Sequence, residues 1–241
     1  MAKDSQIPEP ALSALNEAAL AIAAEVSLDK VLQQITDSAR ELAGARYAAL
    51  GVPDSEGHLE KFVTSGITPE VEAKIPHRPR GLGLLGAIVR EGRSIRLPSI
   101  TDDPRSVGFP PGHPPMTSFL GVPIIAGQEV LGNLYLTDKQ GDPSDGRKDV
   151  IEFTAADQKL VELLAAHAAV AIQNARLYEQ VGRLAIVEER SRIGMDLHDG
   201  VIQSIYAVGL TLESARLLLP DDPVEANHII LQAISGLNDA I

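Results

Sequence analysis

The sequence predicts an α+β fold in which two β-hairpins form an antiparallel sheet, helices precede them, and one long helix and a helical hairpin follow. Three observations carry this. Two pairs of short strand-like runs are each joined by turn-forming residues. Apolar residues recur at steps of three or four ahead of the first pair. From Asp157 onward they settle into a seven-residue repeat.

Residues 10–26 are Ala-rich and helical in pattern. Residues 28–43 put Leu28, Val31, Leu32, Ile35, Ala39 and Leu42 on one side of a second helix, with Ser27 suited to its N-cap and Gly44 to its stop. Strand-like runs at 46–52 and 58–64 flank Pro53-Asp54-Ser55-Glu56-Gly57, a hairpin turn by composition. A short helix is expected at 69–74 and another at 84–90. The run Gly81-Leu82-Gly83-Leu84-Leu85-Gly86 has the wrong spacing for a dinucleotide fingerprint and follows His77-Arg78-Pro79-Arg80 rather than a strand, so it reads as a helix-entry loop. Strand signals return at 94–97, 118–126 and 129–137, the last two joined at Gly127-Gln128, and a long helix begins near Ala155.

The heptad places Leu163, Val170, Leu177 and Leu184 at one core position and Leu160, His167, Asn174 and Val181 at the other, which predicts a parallel coiled coil between two subunits. His167 and Asn174 weaken such a seam but fix its register, and a seam with polar members can hold two packings of similar energy. At about 1.5 Å per residue, the roughly 40 residues from Asp157 to His198 span on the order of 60 Å if the helix is continuous. The polar run 188–192 interrupts the seam and reads as a joint. Leu219-Pro220-Asp221-Asp222-Pro223 is a turn with a helix start, and the next helix carries Ile230, Ile234, Leu237 and Ile241 on one side. Two such hairpins from two subunits make a four-helix bundle.

Composition bounds the function. A length of 241 residues suits a medium domain plus a smaller helical one, and the pattern divides it as an N-terminal helix 1–27, a sheet domain 28–156, a signalling helix 157–187 and a helical domain 188–241. Hydrophobic content of 44% describes a globular chain, and 3% aromatics with no Trp leaves mostly aliphatic cores. A formal charge of −12 argues against direct nucleic-acid binding. Without Cys there is no disulfide, Fe–S cluster or thiol switch. Neither a signal peptide nor an apolar run of roughly 18 residues is found, so a cytoplasmic protein without membrane contact is expected.

One stretch organises the rest: Glu189-Arg190-Ser191-Arg192-Ile193-Gly194-Met195-Asp196-Leu197-His198-Asp199-Gly200-Val201-Ile202-Gln203. A neutral imidazole attacks the γ-phosphorus of ATP through a free ring nitrogen, and a neighbouring carboxylate can hold the other N–H and stabilise the developing cation. His198 and Asp199 suit these roles. Gln203, one helical turn after Asp199, suits the orientation of a hydrolytic water. Ile193, Leu197, Val201, Ile205, Val208 and Leu212 recur as a stripe expected to be buried, with His198 at its edge.

This run resembles the H-box of sensor histidine kinases of the nitrate-sensor and desaturase-sensor type, E-R-x-R-I-x-x-x-L-H-D-x-x-x-Q. The resemblance implies that His198 is the phosphoacceptor, that Asp199 assists the kinase reaction and that Gln203 serves the phosphatase reaction. It implies a homodimer, a response regulator as phosphate acceptor, and an ATP-binding domain acting in cis or in trans that supplies ATP and Mg. No Asn-rich and Gly-rich boxes of that domain follow here. The chain is therefore expected to be inactive alone, with truncation the preferred explanation.

The element order upstream resembles a GAF domain, with helices on one face of the sheet and a ligand pocket on the other. More specifically, Ser106-Val107-Gly108-Phe109-Pro110-Pro111-Gly112-His113-Pro114-Pro115-Met116, Phe119-Leu120-Gly121-Val122-Pro123 and Gly132-Asn133-Leu134-Tyr135-Leu136-Thr137-Asp138-Lys139 resemble the GAF domains of mycobacterial dormancy sensor kinases, which bind haem b. The resemblance implies His113 as the proximal iron ligand, Tyr135 on the distal side, and O2, CO or NO as the gas sensed. The residues alone leave a surface or packing role for His113 open. Gly51, where a haem-binding relative has a carboxylate, supplies no polar group. His58, His77, His167 and His228 show no ligand spacing and are expected to be structural. The reading from another functional class is a non-catalytic GAF dimerisation module whose H-box is unused.

Overall fold

The computed structural model describes residues 7–54, 59–76, 83–141 and 150–239, the side chains of 196, 197, 199 and 237–239 excepted. The chain divides into two compact units, Met1–Glu179 and Gln180–Ile241. Among the described residues no helix is long and apolar enough to cross a membrane.

In the first unit, α1 (Glu9–Ala24) and α2 (Leu28–Ala43) precede β1 (Ala45–Pro53) and β2 (Leu59–Ser65). The α2 stripe is buried as its spacing requires, with Leu42 only half-buried. Gly44 ends α2 in the left-handed region, φ +61°. Ser27 stands at the N-cap, but its side chain makes no capping bond; the Glu25 carboxylate instead accepts the Val26 and Ser27 amides at 3.0 Å each. The turn expected between β1 and β2 lies mostly outside the described residues, as do His58 and His77.

Next come α3 (Pro69–Glu72), α4 (Gly83–Glu91), β3 (Ile95–Leu97), a 3-10 turn (Ile100–Asp102), β4 (Phe119–Ala126), β5 (Glu129–Gln140) and β6 (Val150–Ile151). The strands form one antiparallel sheet in the order β2-β1-β5-β4-β3, with β6 added beside β5 through Lys139↔Ile151 and Gln140↔Val150. Alternation along the strands divides two cores. Leu50, Leu120, Ile124, Leu134 and Leu136 pack with α1, α2 and the start of α5 (Ala155–Leu218). On the opposite face, Phe119 and Tyr135 pack with Leu84, Ala87 and Ile88 of α4 and with Ile95 and Ile100. A Cβ at Gly121 would overlap Ile88, so α4 reaches the sheet because that rung lacks a side chain.

The α5 helix opens with a reciprocal cap. Asp157 Oδ2 accepts the Thr154 amide at 2.7 Å, and Thr154 Oγ1 accepts the Asp157 amide at 3.1 Å. Val161, Leu164, Ala165, Ala168, Ile172 and Ala175 face the sheet core, while His167, Val170, Asn174 and Leu177 are exposed. Leu160 belongs to the core rather than to the outer seam, at 4% exposure. The helix does not break at 188–192: no proline interrupts it, and Arg192 pairs with Glu189 one turn back at 2.7 Å.

The second unit is a hairpin of the rest of α5 and α6 (Pro223–Asp239). Asp222 Oδ1 accepts the Val224 and Glu225 amides, and Pro223 takes the first helical position. Contact inside the hairpin uses small residues: Ala215, Ala226 and Ala233 are buried, with Ser204, Val208 and Thr211 partly covered. The stripe expected to be buried is instead exposed at Ile193, Val201, Ile205 and Leu212, because one hairpin has a single inner face and small side chains fill it. On α6, Ile230 is half-buried and Ile234 exposed; the Leu237 side chain and Ile241 lie outside the described residues.

Candidate functional site

The face of the sheet away from α1 and α2 floors a cavity of about 550 Å³. Register puts Tyr47, Thr137 and Phe119 side by side on one rung and Ala49, Tyr135 and Gly121 on the next. Ile67, Glu72 and Ile75 come from the α3 region, Leu84 and Leu85 from α4, and Val107, Phe109, Pro110, His113 and Met116 from the long loop before β4. The chain has four Phe and four Tyr, and five of these eight (Tyr47, Phe62, Phe109, Phe119, Tyr135) line this one cavity. So strong a concentration of scarce rings favours a flat, largely apolar ligand.

The loop is held from three sides. Arg105 donates to both oxygens of Asp103 at 2.9 and 2.8 Å and to Glu91 at the end of α4 at 2.8 Å. The guanidinium beside Asp103 holds its carboxyl at about 2, and the two carboxylates raise the Arg105 pKa in return. Gly112, at φ +83°, sits so close to the Lys74 carbonyl that a Cβ would lie 2.7 Å from it. The buried Asp138 carboxylate accepts the Thr117 amide at 2.6 Å. Next to it, Lys139 donates to the Ala43 carbonyl at 3.0 Å and to Asp157 in the first turn of α5 at 2.8 Å. A run of polar contacts thus joins the loop that carries His113 to the start of α5.

His113 is half-buried, and its ring stacks on Phe109 with centroids 4.8 Å apart. Its Nδ1 lies 2.8 Å from the Pro114 carbonyl. A carbonyl only accepts, so Nδ1 carries a proton, and in a neutral ring the lone pair then falls on Nε2, the tautomer a metal ligand needs. Among the described residues no cluster of His, Asp or Glu could hold a bare metal ion, so iron at this loop would depend on a macrocycle for its other ligands. One available imidazole nitrogen beside a ring-lined cavity fits that donor set.

Tyr135 lines the same cavity, but it is 4% exposed and its hydroxyl donates to the Leu85 carbonyl at 3.3 Å. Burial pushes its pKa well above the ordinary phenol value. The wholly buried Asn133 amide lies near that hydroxyl but has no partner at hydrogen-bond geometry, and neither does Thr137 Oγ1. From the sequence alone Thr137, Asp138, Lys139 and Asp157 carry no individual role, although the first three belong to the run 132–139 and Asp157 opens the heptad. The spacing of Thr154 and Asp157 was a readable capping signal, whereas the other contacts depend on cross-strand register.

In the second unit, His198 and Gln203 are exposed on α5, with Asp199 on the same helix one turn before Gln203. The Asp199 side chain lies outside the described residues.

The pattern of the GAF domain family matches residues 25–173, and that of the histidine kinase family matches residues 189–241. The chain is 28% identical over 193 residues to the Nif-specific regulatory protein of Azorhizobium caulinodans, covering 76% of this chain and 31% of that one. It is 32% identical over 83 residues to the sensor histidine kinase YhcY of Bacillus subtilis, covering 34% and 22% respectively. The chain therefore spans less than a third of either curated relative. The GAF domain of a phosphoenolpyruvate-protein phosphotransferase from Coxiella burnetii superposes with a TM-score of 0.58 at 23% identity, over 70% of this chain and 96% of that one. Its Acinetobacter counterpart gives 0.56 at 20%, over 71% and 97%. At these identities the likeness shows the fold. The chain belongs to the GAF domain family and carries, after that domain, a region of the histidine kinase family.

Proposed function

We propose that this chain is the sensor and transmitter portion of a two-component histidine kinase, in which occupancy of the GAF cavity controls phosphorylation of His198 and transfer to a response regulator. The observation that carries this reading is the histidine kinase region at 189–241, with His198 exposed on α5 inside it. A neutral imidazole nitrogen of His198 forms a bond to the γ-phosphorus of ATP while the bond to the β–γ bridging oxygen breaks and ADP leaves. Asp199 takes up or holds the other ring proton, and Gln203 orients water for the reverse hydrolysis. The nucleotide is supplied by an ATP-binding domain in cis or in trans. The exposed stripe through Ile193, Val201, Ile205 and Leu212 supports a homodimer, since two such hairpins bury each other's apolar faces in a four-helix bundle.

For the cavity, the proposed cofactor is haem b. Its iron would supply a site for a diatomic gas. His113 would hold it through Nε2, oriented by the Nδ1 bond to Pro114, while Phe109, Phe62 and Phe119 exclude water from the ring.

The test adds the ATP-binding domain in trans with labelled ATP. Phosphate should appear on the wild type and vanish in His198→Ala; label retained in that variant would sink the assignment. Gln203→Ala should spare phosphorylation and slow dephosphorylation of the regulator. A Soret band on hemin titration should be lost in His113→Ala.

A further inference from the structure

Asp138 is, among the described residues, the one non-glycine residue with a positive φ, +55°. It stands inside β5 between Thr137, which lines the cavity, and Lys139, which bonds the last residue of α2 and the first turn of α5. In a regular strand, residues two apart share a face. Thr137 keeps to the cavity face, yet the Lys139 ammonium lies on the helix side, 5.9 Å from the ring centroid of Phe153 in the core that α2 and α5 cover. The left-handed residue between them re-aims the chain, so that two side chains of one parity serve opposite faces.

A left-handed backbone is unfavourable for a residue with a Cβ, and aspartate tolerates it when its short side chain finds a local partner. Here the partners come from the end of the cavity loop. The carboxylate accepts the Thr117 amide at 2.6 Å, the Ser118 carbonyl accepts the Asp138 amide at 3.0 Å, and Ser118 Oγ accepts the Lys139 amide at 3.1 Å. Asp138 and Ser118 are both buried, so water does not replace these bonds while the loop end is in place.

We propose that Asp138 is the pivot through which the cavity loop acts on the output helix. The loop end holds it left-handed; withdrawal of Thr117 and Ser118 lets it relax to an extended strand residue, which turns Lys139 off Asp157. Asp157 also caps the Thr154 amide, so the first turn of α5 loosens with it. The use of this pivot in signalling rests on the reading that cavity occupancy controls α5, whereas its mechanics do not.

The experiment is amide hydrogen exchange on the whole chain, without ligand or nucleotide, for three variants. Asp138→Gly removes the carboxylate but frees the left-handed backbone, Asp138→Ala removes it and keeps the strain, and Asp138→Asn keeps both an acceptor oxygen and the tolerance. Exchange at 117–118 should accelerate in the Gly and Ala variants. At 154–158 it should accelerate by about tenfold in Asp138→Ala alone, with Asp138→Asn like the wild type at both places. The Gly variant should also melt above the Ala variant by about 2–4 °C. Equal exchange at 154–158 in the Gly and Ala variants overturns the proposal, as does a Gly variant that melts at or below the Ala variant. Should Asp138→Ala fail to fold, the wild type decides: amides 117 and 157 should open with one free energy, below that of the β5 core, and two different values overturn the proposal. Because no arm involves ligand or His198 phosphorylation, its failure leaves the sensing reading standing.

Discussion

The two units of the chain handle apolar surface in opposite ways. The first buries large aliphatic side chains on both faces of its sheet, with Leu32, Ile35, Leu50, Leu134 and Leu136 fully enclosed. In the second, the buried residues are Ala215, Ala226 and Ala233, among those described, and Ile193, Val201, Ile205, Leu212, Leu231 and Ile234 lie in the open. A sheet domain with a closed core can fold as a monomer. A two-helix hairpin held by three alanines cannot draw comparable stability from its own chain, and its exposed apolar stripe marks where the remainder comes from. The first unit thus carries its own large core, while the second, among the described residues, leaves most of its large apolar side chains uncovered by its own chain.

The sharpest way to break that contrast is Ile205→Asp. Ile205 is 57% exposed in the single chain, and burial of such a side chain contributes about 1.5–3 kcal/mol, counted once for each subunit. Sedimentation should show a dimer dissociation constant raised by at least two orders of magnitude, with thermal unfolding of the sheet domain unmoved. An unchanged constant would place the interface elsewhere. Leu134→Ala makes the opposite test. Leu134 is fully enclosed on β5, and its truncation should cost about 2–5 kcal/mol in urea unfolding, by the same amount at every protein concentration.

The elements of the sheet domain were legible because β4 and β5 are short, mostly apolar runs joined at the Gly127-Gln128 turn, and α2 repeats its apolar residues every three to four. What the sequence hid depends on more than one stripe or on distant partners. Leu160 fits a heptad, yet α5 has two apolar faces whose residues overlap in its first turns, and the sheet claims this one. Val150–Ile151 is too short for periodicity to reveal. The stripe from Ile193 to Leu212 was readable as apolar, but whether its own hairpin or another copy covers it is set by the small residues at 204, 211 and 215. At the cavity, His113 was singled out by the resemblance of its run to haem-binding GAF domains, not by its residues alone. The unpaired hydroxyl of Thr137 becomes visible only when β1, β4 and β5 are laid in register.

Within the first unit, Lys139 tests whether the loop and the output helix are held by one set of contacts. Lys139→Met removes the bonds to the Ala43 carbonyl and to Asp157 and leaves a mostly buried carboxylate short of a partner, at a cost of about 1–3 kcal/mol. Hydrogen exchange should accelerate in the first turn of α5 and in the 113–118 loop together. Acceleration at α5 alone would show that Asp138 secures the loop independently.

The smallest effect is a pH dependence confined to the cavity loop. Arg105 lowers the Asp103 carboxyl from an unfolded value near 3.8 to about 2, chiefly by direct hydrogen bonds, while Glu91 is lowered first by Arg93 and then by Arg105. A carboxyl whose folded pKa is depressed contributes its full stabilisation above the unfolded pKa and loses it as pH falls through the folded one. The stability difference between wild type and Asp103→Asn should therefore be flat above pH 4 and shrink between about 4 and 2. Taking the difference cancels carboxylates elsewhere in the protein. Asp103 anchors the segment that brings Val107 and Phe109 over the cavity, so exchange protection at 105–110 should fall in that window before protection in β5 does. If both fall together, the ion pair is part of the global core rather than a local clasp.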